Sequence, residues 1–259
     1  MIRKLALGSS VLAAVVGTQV SGQNPFPFAP YLSKEAMPNS LKLDPPPPAK
    51  GSAAEARDVE AQKAALKLQG TPRFALAERD ADLWSPRAVG AFSCSAGITI
   101  SPATTPKIDA LLRRSAREFG MASSPTKDKY MRKRPFVVNG KPTCTPTHEA
   151  QLRGNGSYTS GHAGIGWGWS LVLAQVFPDR TAELVARGRA FADSRRICNV
   201  HWLSDTEQGQ VVASAVFARL QSVPDYQADL AAAREEAKAL AGTHSPAGCD
   251  VEAATLAQR

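Results

Sequence analysis

The chain has 259 residues, of which 43% are hydrophobic and 21% charged, with a formal net charge of +8. This length and apolar content support one sizeable packed core and exclude a chain that is disordered throughout. The basic balance favours anionic ligands. Residues 132–134 form the only dense basic cluster, and no aromatic-basic surface motif accompanies them, so a dedicated nucleic-acid partner is not expected.

The first 22 residues have the pattern of a secretory signal peptide. Arg3 and Lys4 precede an apolar run over 5–16, and small residues surround a cleavage position near Gly22. The run is too short to favour the alternative, a retained membrane anchor, and no later window approaches about 18 apolar residues. We therefore expect export to the periplasm and a soluble mature protein, with the net charge reduced from +8 to +6 by loss of Arg3 and Lys4.

Residues 23–51 are rich in proline, including the run 45–48. Proline lacks a backbone N–H and resists helix formation, so this segment is predicted to be an extended arm. Two interpretations remain open: an arm that lies over the domain or across a partner subunit, and a flexible tether.

Residues 52–259 are predicted to form a single-domain, all-α helical bundle, because apolar residues recur at helical spacing and no convincing strand pattern occurs. In the helix from residue 161, Gly164 and Gly168 share a face on which a neighbouring helix can pack closely, and Trp167 and Trp169 are expected in the core. The stretch 86–101 is less regular, 136–138 is expected in a loop, and the chain beyond Gly242 in a frayed tail. The helices are predicted over 53–68, 75–83, 105–120, 124–131, 161–177, 181–197, 200–220 and 226–240.

Four cysteines in an exported chain predict one or two disulfides. Four cysteines allow three complete pairings, and the sequence does not choose among them. None of the four lie close together as zinc ligands do, so a zinc site is not expected. The cysteines are Cys94, Cys144, Cys198 and Cys249.

Three separated pieces of sequence carry the residue types of phosphoryl transfer. Ser160-Gly161-His162 opens a helix, whose first backbone N–H groups suit an anion. Lys127 and Arg134 stand seven residues apart, close to two helical turns, so both are expected to project from one side of a helix. His201 and Asp205 stand four apart, and on a helix the carboxylate would hold the imidazole in one tautomer.

The three pieces resemble the signature K-x6-R-P, P-S-G-H and S-R-x5-H-x3-D of the acid phosphatase and vanadium haloperoxidase superfamily. They span Lys127 to Asp205 and depart at one position, where Thr159 stands in place of the usual proline; its hydroxyl is expected to cap the helix that follows. The residues around the three pieces, among them Gly156-Ser157-Tyr158 and His201-Trp202, resemble the class A bacterial non-specific acid phosphatases.

This resemblance implies a metal-independent acid phosphatase without a cofactor, acting on small phosphomonoesters. His201 would be the nucleophile that forms a phosphohistidine, Asp205 would orient it, and His162 would be the general acid. Inhibition by vanadate, phosphotransferase side activity and a homo-oligomeric assembly are further implications. The phosphate would be bound by Lys127, Arg134, Ser160, Gly161 and Arg195.

Three alternatives share parts of this pattern. A vanadium haloperoxidase could use the same cage, although the short chain and class A surroundings argue against it. A membrane lipid phosphatase would need several spanning helices. A non-catalytic phosphate binder would need no aligned nucleophile and acid. His148 belongs to none of the three pieces and is expected on the surface.

Overall fold

The computed structural model describes residues 28–258, so the predicted signal peptide at residues 1–22 lies outside the described residues. Within this range every regular element is an α-helix or a 3-10 helix and no strand occurs, which confirms the all-α prediction. The helices are α1 (Ser40–Leu43), α2 (Ala53–Leu66), α3 (Pro72–Arg79), α4 (Ser93–Ala96), α5 (Pro106–Met121), α6 (Ser124–Tyr130), α7 (Pro135–Asn139), α8 (Glu149–Arg153), α9 (Gly161–Val176), α10 (Thr181–Ile197), α11 (Leu203–Leu220), α12 (Pro224–Ala239) and α13 (Cys249–Leu256).

Helix α9 is the centre of the bundle, and α5, α10 and α11 surround it. Trp169, Val172 and Leu173 are fully buried in this helix, and the indole of Trp169 donates to the Leu112 carbonyl at 2.7 Å. Each large apolar side chain buried in this way contributes about 1.5–3 kcal/mol to folding. Both tryptophans were predicted in the core; Trp169 is there, whereas Trp167 is only partly buried.

The glycines of α9 permit close packing, as the sequence predicted. A Cβ on Gly164 would lie 3.1 Å from the carbonyl oxygens of both Phe119 and Gly209, on α5 and α11. A Cβ on Gly168 would overlap the Phe119 ring at 2.4 Å. These contacts bring the backbones of three helices together directly below the N-terminus of α9.

The described part of the proline-rich segment lies on the helices of the same chain. Tyr31 and Leu32 are buried, and both backbone amides donate to the buried carboxylate of Glu118 on α5. Farther along, the Pro45 carbonyl accepts a hydrogen bond from the Tyr158 hydroxyl at 2.7 Å. The segment is not extended throughout, since it contains the short helix α1.

Two disulfides join distant parts of the chain, Cys94 to Cys249 and Cys144 to Cys198. The first ties the C-terminal segment to α4, so the predicted frayed tail is wrong for 249–256, which form α13.

The predicted loop at 136–138 is also wrong, because Pro135 occupies the first turn of α7. The helix predicted over 75–83 begins and ends a few residues earlier, at α3. No helix in the described range is long and apolar enough to cross a membrane.

Candidate active site

The turn before α9 is held by hydrogen bonds to both neighbouring pieces of the pattern. Ser160 is the N-cap of α9, where its Oγ accepts from the Ala163 amide at 3.2 Å. Its own amide donates to the Asp205 carbonyl at 2.9 Å. The expectation that Thr159 caps the helix was wrong, because its side chain lies 3.3 Å from the Thr126 hydroxyl instead. Gly161 is the first residue of α9, so its amide has no carbonyl within the helix to bond.

Lys127 and Arg134 do not share a helix, which corrects the prediction made from their spacing. Lys127 lies on α6, Met131 ends that helix in the left-handed conformation, and Arg134 is the N-cap of α7. The two side chains nevertheless meet at one acceptor. Lys127 Nζ donates to the Gly156 carbonyl at 3.0 Å and Arg134 Nη2 donates to the same oxygen at 3.2 Å.

His201 and Asp205 also do not share a helical face, because α11 begins at Leu203. Asp205 reaches back from the first turn, and its Oδ2 accepts from the Trp202 amide at 2.8 Å and lies 3.4 Å from His201 Nδ1. On the other edge of the ring, His201 Nε2 lies 3.0 Å from Arg134 Nη1. Because a guanidinium can only donate, Nε2 is the acceptor and the ring hydrogen is on Nδ1.

The guanidinium of Arg195 is a buried cation with few hydrogen-bond acceptors among the described residues. Its side chain is on α10 and the residue is 4% exposed. Within residues 28–258 its Nε has no hydrogen-bond partner, and Nη1 makes one weak contact, to Cys198 Sγ at 3.7 Å. Its carbonyl accepts from the His201 amide at 3.3 Å, which fixes the two residues relative to each other. Unsatisfied donors on a buried guanidinium are costly, so this group favours an anionic partner.

His162 occupies the first turn of α9, and the Asp80 carbonyl lies 2.7 Å from its Nε2. Its ring stacks on Phe191, with centroids 5.6 Å apart and planes inclined by 23°. The residue as a whole is only partly buried. The ring is therefore held at one nitrogen and one face.

Burial and mutual repulsion lower the pKa values of the basic groups. Burial, followed by the charge of Arg134, lowers the pKa of Lys127 to about 7 and that of Arg195 to about 9. Burial lowers the pKa of Arg134 to about 10. Burial and nearby cations also hold the pKa of His162 and of His201 well below 6.5, so both rings are neutral near pH 7. The repulsion among these groups would be relieved by a bound anion.

Arg132 was not recognised as part of the site from the sequence, although it belongs to the basic cluster noted there. Its guanidinium donates to Asp205 Oδ1 at 2.7 Å and to Asp58 Oδ2 on α2 at 2.7 Å. Asp58 also accepts from the amide and hydroxyl of Ser204. Arg132, itself held by Asp58, therefore fixes the Asp205 carboxylate through the oxygen that does not face His201. The spacing of residues along the sequence gives no sign of this contact.

The structure thus brings together all eight residues that the sequence singled out. Lys127 and Arg134 share the Gly156 carbonyl, and direct contacts link Arg134 to His201, His201 to Asp205 and Asp205 to the turn. Arg195 lies close enough to lower the pKa of both His162 and His201. His148 is exposed, as expected. Within the described range, no group of three or more His, Cys, Asp or Glu side chains is placed to hold a metal ion.

Comparison with known proteins gives consistent matches. The model of the PAP2 superfamily matches residues 117–227, a range that includes every residue from Lys127 to Asp205. The chain is 35% identical over 243 residues to the acid phosphatase of Zymomonas mobilis, covering 93% of this chain and 92% of that protein. It is 40% identical over 208 residues to a non-specific acid phosphatase of Salmonella typhimurium (80% and 83% covered) and 37% identical over 232 residues to that of Providencia stuartii (89% and 92% covered).

Proposed function

Because this chain belongs to the bacterial non-specific acid phosphatases of the PAP2 superfamily, we propose that it hydrolyses phosphomonoesters through a phosphohistidine intermediate, without a metal ion. The observation that carries the proposal is the buried guanidinium of Arg195, which has an unsatisfied Nε–H beside two imidazoles. A phosphate group supplies the oxygens and the negative charge that such a group lacks.

The substrate phosphate would be bound by fixed charges and by backbone donors. Arg195 would give forked hydrogen bonds and Lys127 a point charge, because only two of its three N–H groups have acceptors nearby. The Gly161 amide and the Ser160 hydroxyl hydrogen would contribute further donors, since Ser160 Oγ uses a lone pair to cap α9. Arg134 already donates to several carbonyls, so it would turn its Nη1–H from His201 towards a phosphate oxygen.

His201 would attack first. Its Nε2 lone pair forms a bond to phosphorus, and the bond from phosphorus to the ester oxygen breaks. The electron pair of that bond passes to the leaving oxygen, which receives a proton from His162 and departs as an alcohol. Asp205 stabilises the positive charge that develops on His201, while Arg132 holds the carboxylate in place.

Water would complete the cycle. His162, now neutral, takes a proton from the water as its oxygen attacks phosphorus and the bond to His201 Nε2 breaks, which releases phosphate. An alcohol that takes the place of water would instead receive the phosphoryl group, giving transferase side activity. The residues named above would bind the phosphate and not the esterified group, so the enzyme should accept many phosphomonoesters.

Substitution of the two histidines tests this function. His201→Ala should abolish turnover of 4-nitrophenyl phosphate, whereas His162→Ala should leave a slow enzyme that accumulates the phosphorylated intermediate, detectable by acid-quench labelling. His244→Ala is the matched control, since His244 is exposed and its charge is not among those that lower the pKa of His162, and it should keep wild-type activity. Full activity of His201→Ala would exclude the mechanism. Vanadate should inhibit; bromide oxidation with vanadate and peroxide would point to a haloperoxidase instead.

Export and assembly belong to the same proposal. The leader-like sequence at residues 1–22 and the exported character of such a phosphatase support a periplasmic location. Fractionation of expressing cells, with N-terminal sequencing of the product, should find a mature chain that begins near residue 23. Sedimentation of that product should give the mass of a homo-oligomer.

A further inference from the structure

A second buried ion pair lies behind the general acid of the proposed mechanism. Asp80 is the C-cap of α3, and its side chain is 1% exposed. Its two oxygens accept from both terminal nitrogens of Arg187, at 2.6 and 3.1 Å, and Ser194 Oγ lies 2.7 Å from Oδ2. Arg73 donates to that same hydroxyl at 3.0 Å. A bidentate pair of this kind fixes both the position and the orientation of the residue that carries the carboxylate.

The main chain of Asp80 points the other way, towards the active site. Its carbonyl oxygen is the atom that lies 2.7 Å from His162 Nε2. A carbonyl can only accept, so Nε2 carries a hydrogen in both protonation states of the ring. The nitrogen left to exchange a proton with the substrate is therefore Nδ1. The stacked ring of Phe191 prevents the imidazole from turning out of this plane.

The same contact bears on the charge of His162. Burial and Arg195 hold the pKa of His162 well below 6.5, and the hydrogen bond to the Asp80 carbonyl acts in the opposite direction. An acid that must be protonated before the leaving group departs benefits from an acceptor that stabilises the imidazolium. The carbonyl can do this only if its own position is fixed, which is the effect of the pair with Arg187.

We infer that Asp80 is a positioning residue for the general acid. Its carbonyl, held by the Asp80–Arg187 pair, fixes His162 as the Nε2–H tautomer, so that Nδ1–H is the group that protonates the ester oxygen. As the bond from phosphorus to that oxygen breaks, the oxygen keeps the electron pair and takes the Nδ1 proton, and Nδ1 later accepts a proton from water. The inference rests on the proposed function. It adds the atom of His162 that transfers the proton, Nδ1, and the residues that orient the ring, Asp80 and Arg187.

The dependence of the rate on the leaving group separates this role from a general structural one. Glycerol 2-phosphate releases an alkoxide that must be protonated, whereas 4-nitrophenyl phosphate releases a stable phenolate that needs little help. Asp80→Asn should therefore lower kcat/KM about 100-fold for glycerol 2-phosphate, but less than roughly 10-fold for the aryl ester. Asp109→Asn, which weakens a less deeply buried pair with Arg113 on α5, is the control and should change both rates equally, if at all.

Two further measurements keep the test decisive if Asp80→Asn folds poorly. Ser194→Ala removes one contact to Asp80 and should give a smaller loss with the same preference for the aryl ester. Nitrogen-15 spectra of labelled histidine in the wild type, at about pH 8, should show neutral His162 protonated at Nε2. Equal losses on both esters, or a neutral ring protonated at Nδ1, would overturn the inference. Activity that survives His201→Ala would instead overturn the proposed function.

Discussion

Replacing Gly209 by alanine tests whether the position of the turn before α9 controls the activity. A Cβ at this position would lie 2.3 Å from the Ser160 carbonyl oxygen, which is backbone and cannot rotate away. To bring this contact to between 3.0 and 3.4 Å, α11 and the turn must separate by about 0.7 to 1.1 Å. Asp205 is one helical turn before Gly209 and accepts from the Ser160 amide, so the displacement would open the site between the turn and His201.

A displacement of about 1 Å in a catalytic arrangement can reduce the rate about 100-fold. We therefore expect Gly209→Ala to lower kcat for 4-nitrophenyl phosphate by about that factor. Overpacking should also lower the free energy of unfolding by about 1–3 kcal/mol, against a gain of about 1 kcal/mol expected from alanine at an unobstructed helical position. Urea denaturation of the same preparation measures this second effect.

Gly154→Ala is the matched control. There the added Cβ would lie 3.5 Å from the Gln151 carbonyl, an ordinary contact, and the residue has a negative φ. This variant should keep wild-type kcat and change stability by less than about 0.5 kcal/mol. Wild-type kcat in Gly209→Ala would refute the idea that the spacing of α11 and the turn sets the activity. Such a result would be most informative if stability still declined.

Two other predictions concern the charges of the site. Because His162 and His201 have pKa values below 6.5 in the folded protein, the unfolded chain binds more protons below that pH, and the melting temperature in phosphate-free buffer should fall from pH 7 to 5. A bound phosphate dianion should favour the protonated forms of these histidines, so added phosphate should raise the melting temperature more at pH 5 than at pH 7. An equal rise at both pH values would contradict proton uptake by the histidines on phosphate binding. Arg132→Met leaves Asp58 and Asp205 without their shared cation, so it should cost about 3–5 kcal/mol in urea denaturation and lower kcat, and a neutral result would exclude a role in holding Asp205.

The helices were predicted well wherever a local signal was strong. Pro106 at the first turn and a regular apolar stripe gave α5, and the apolar run after Ser160 gave α9. Predictions failed where a contact from elsewhere in the chain decides the conformation. The segment 249–256 becomes helical next to a disulfide formed with Cys94, a partner 155 residues away.

The sequence by itself determined which side chains the site contains, because residue types at fixed spacings in three pieces are specific as a set. Only the tertiary structure decided how those side chains meet. Lys127 and Arg134 converge on the Gly156 carbonyl from separate helices, and Asp205 reaches His201 from the next helix. Spacing along the chain describes neighbours on one element, whereas the contacts of Arg132 with Asp58, and of His162 with the Asp80 carbonyl, depend on how separate elements pack together.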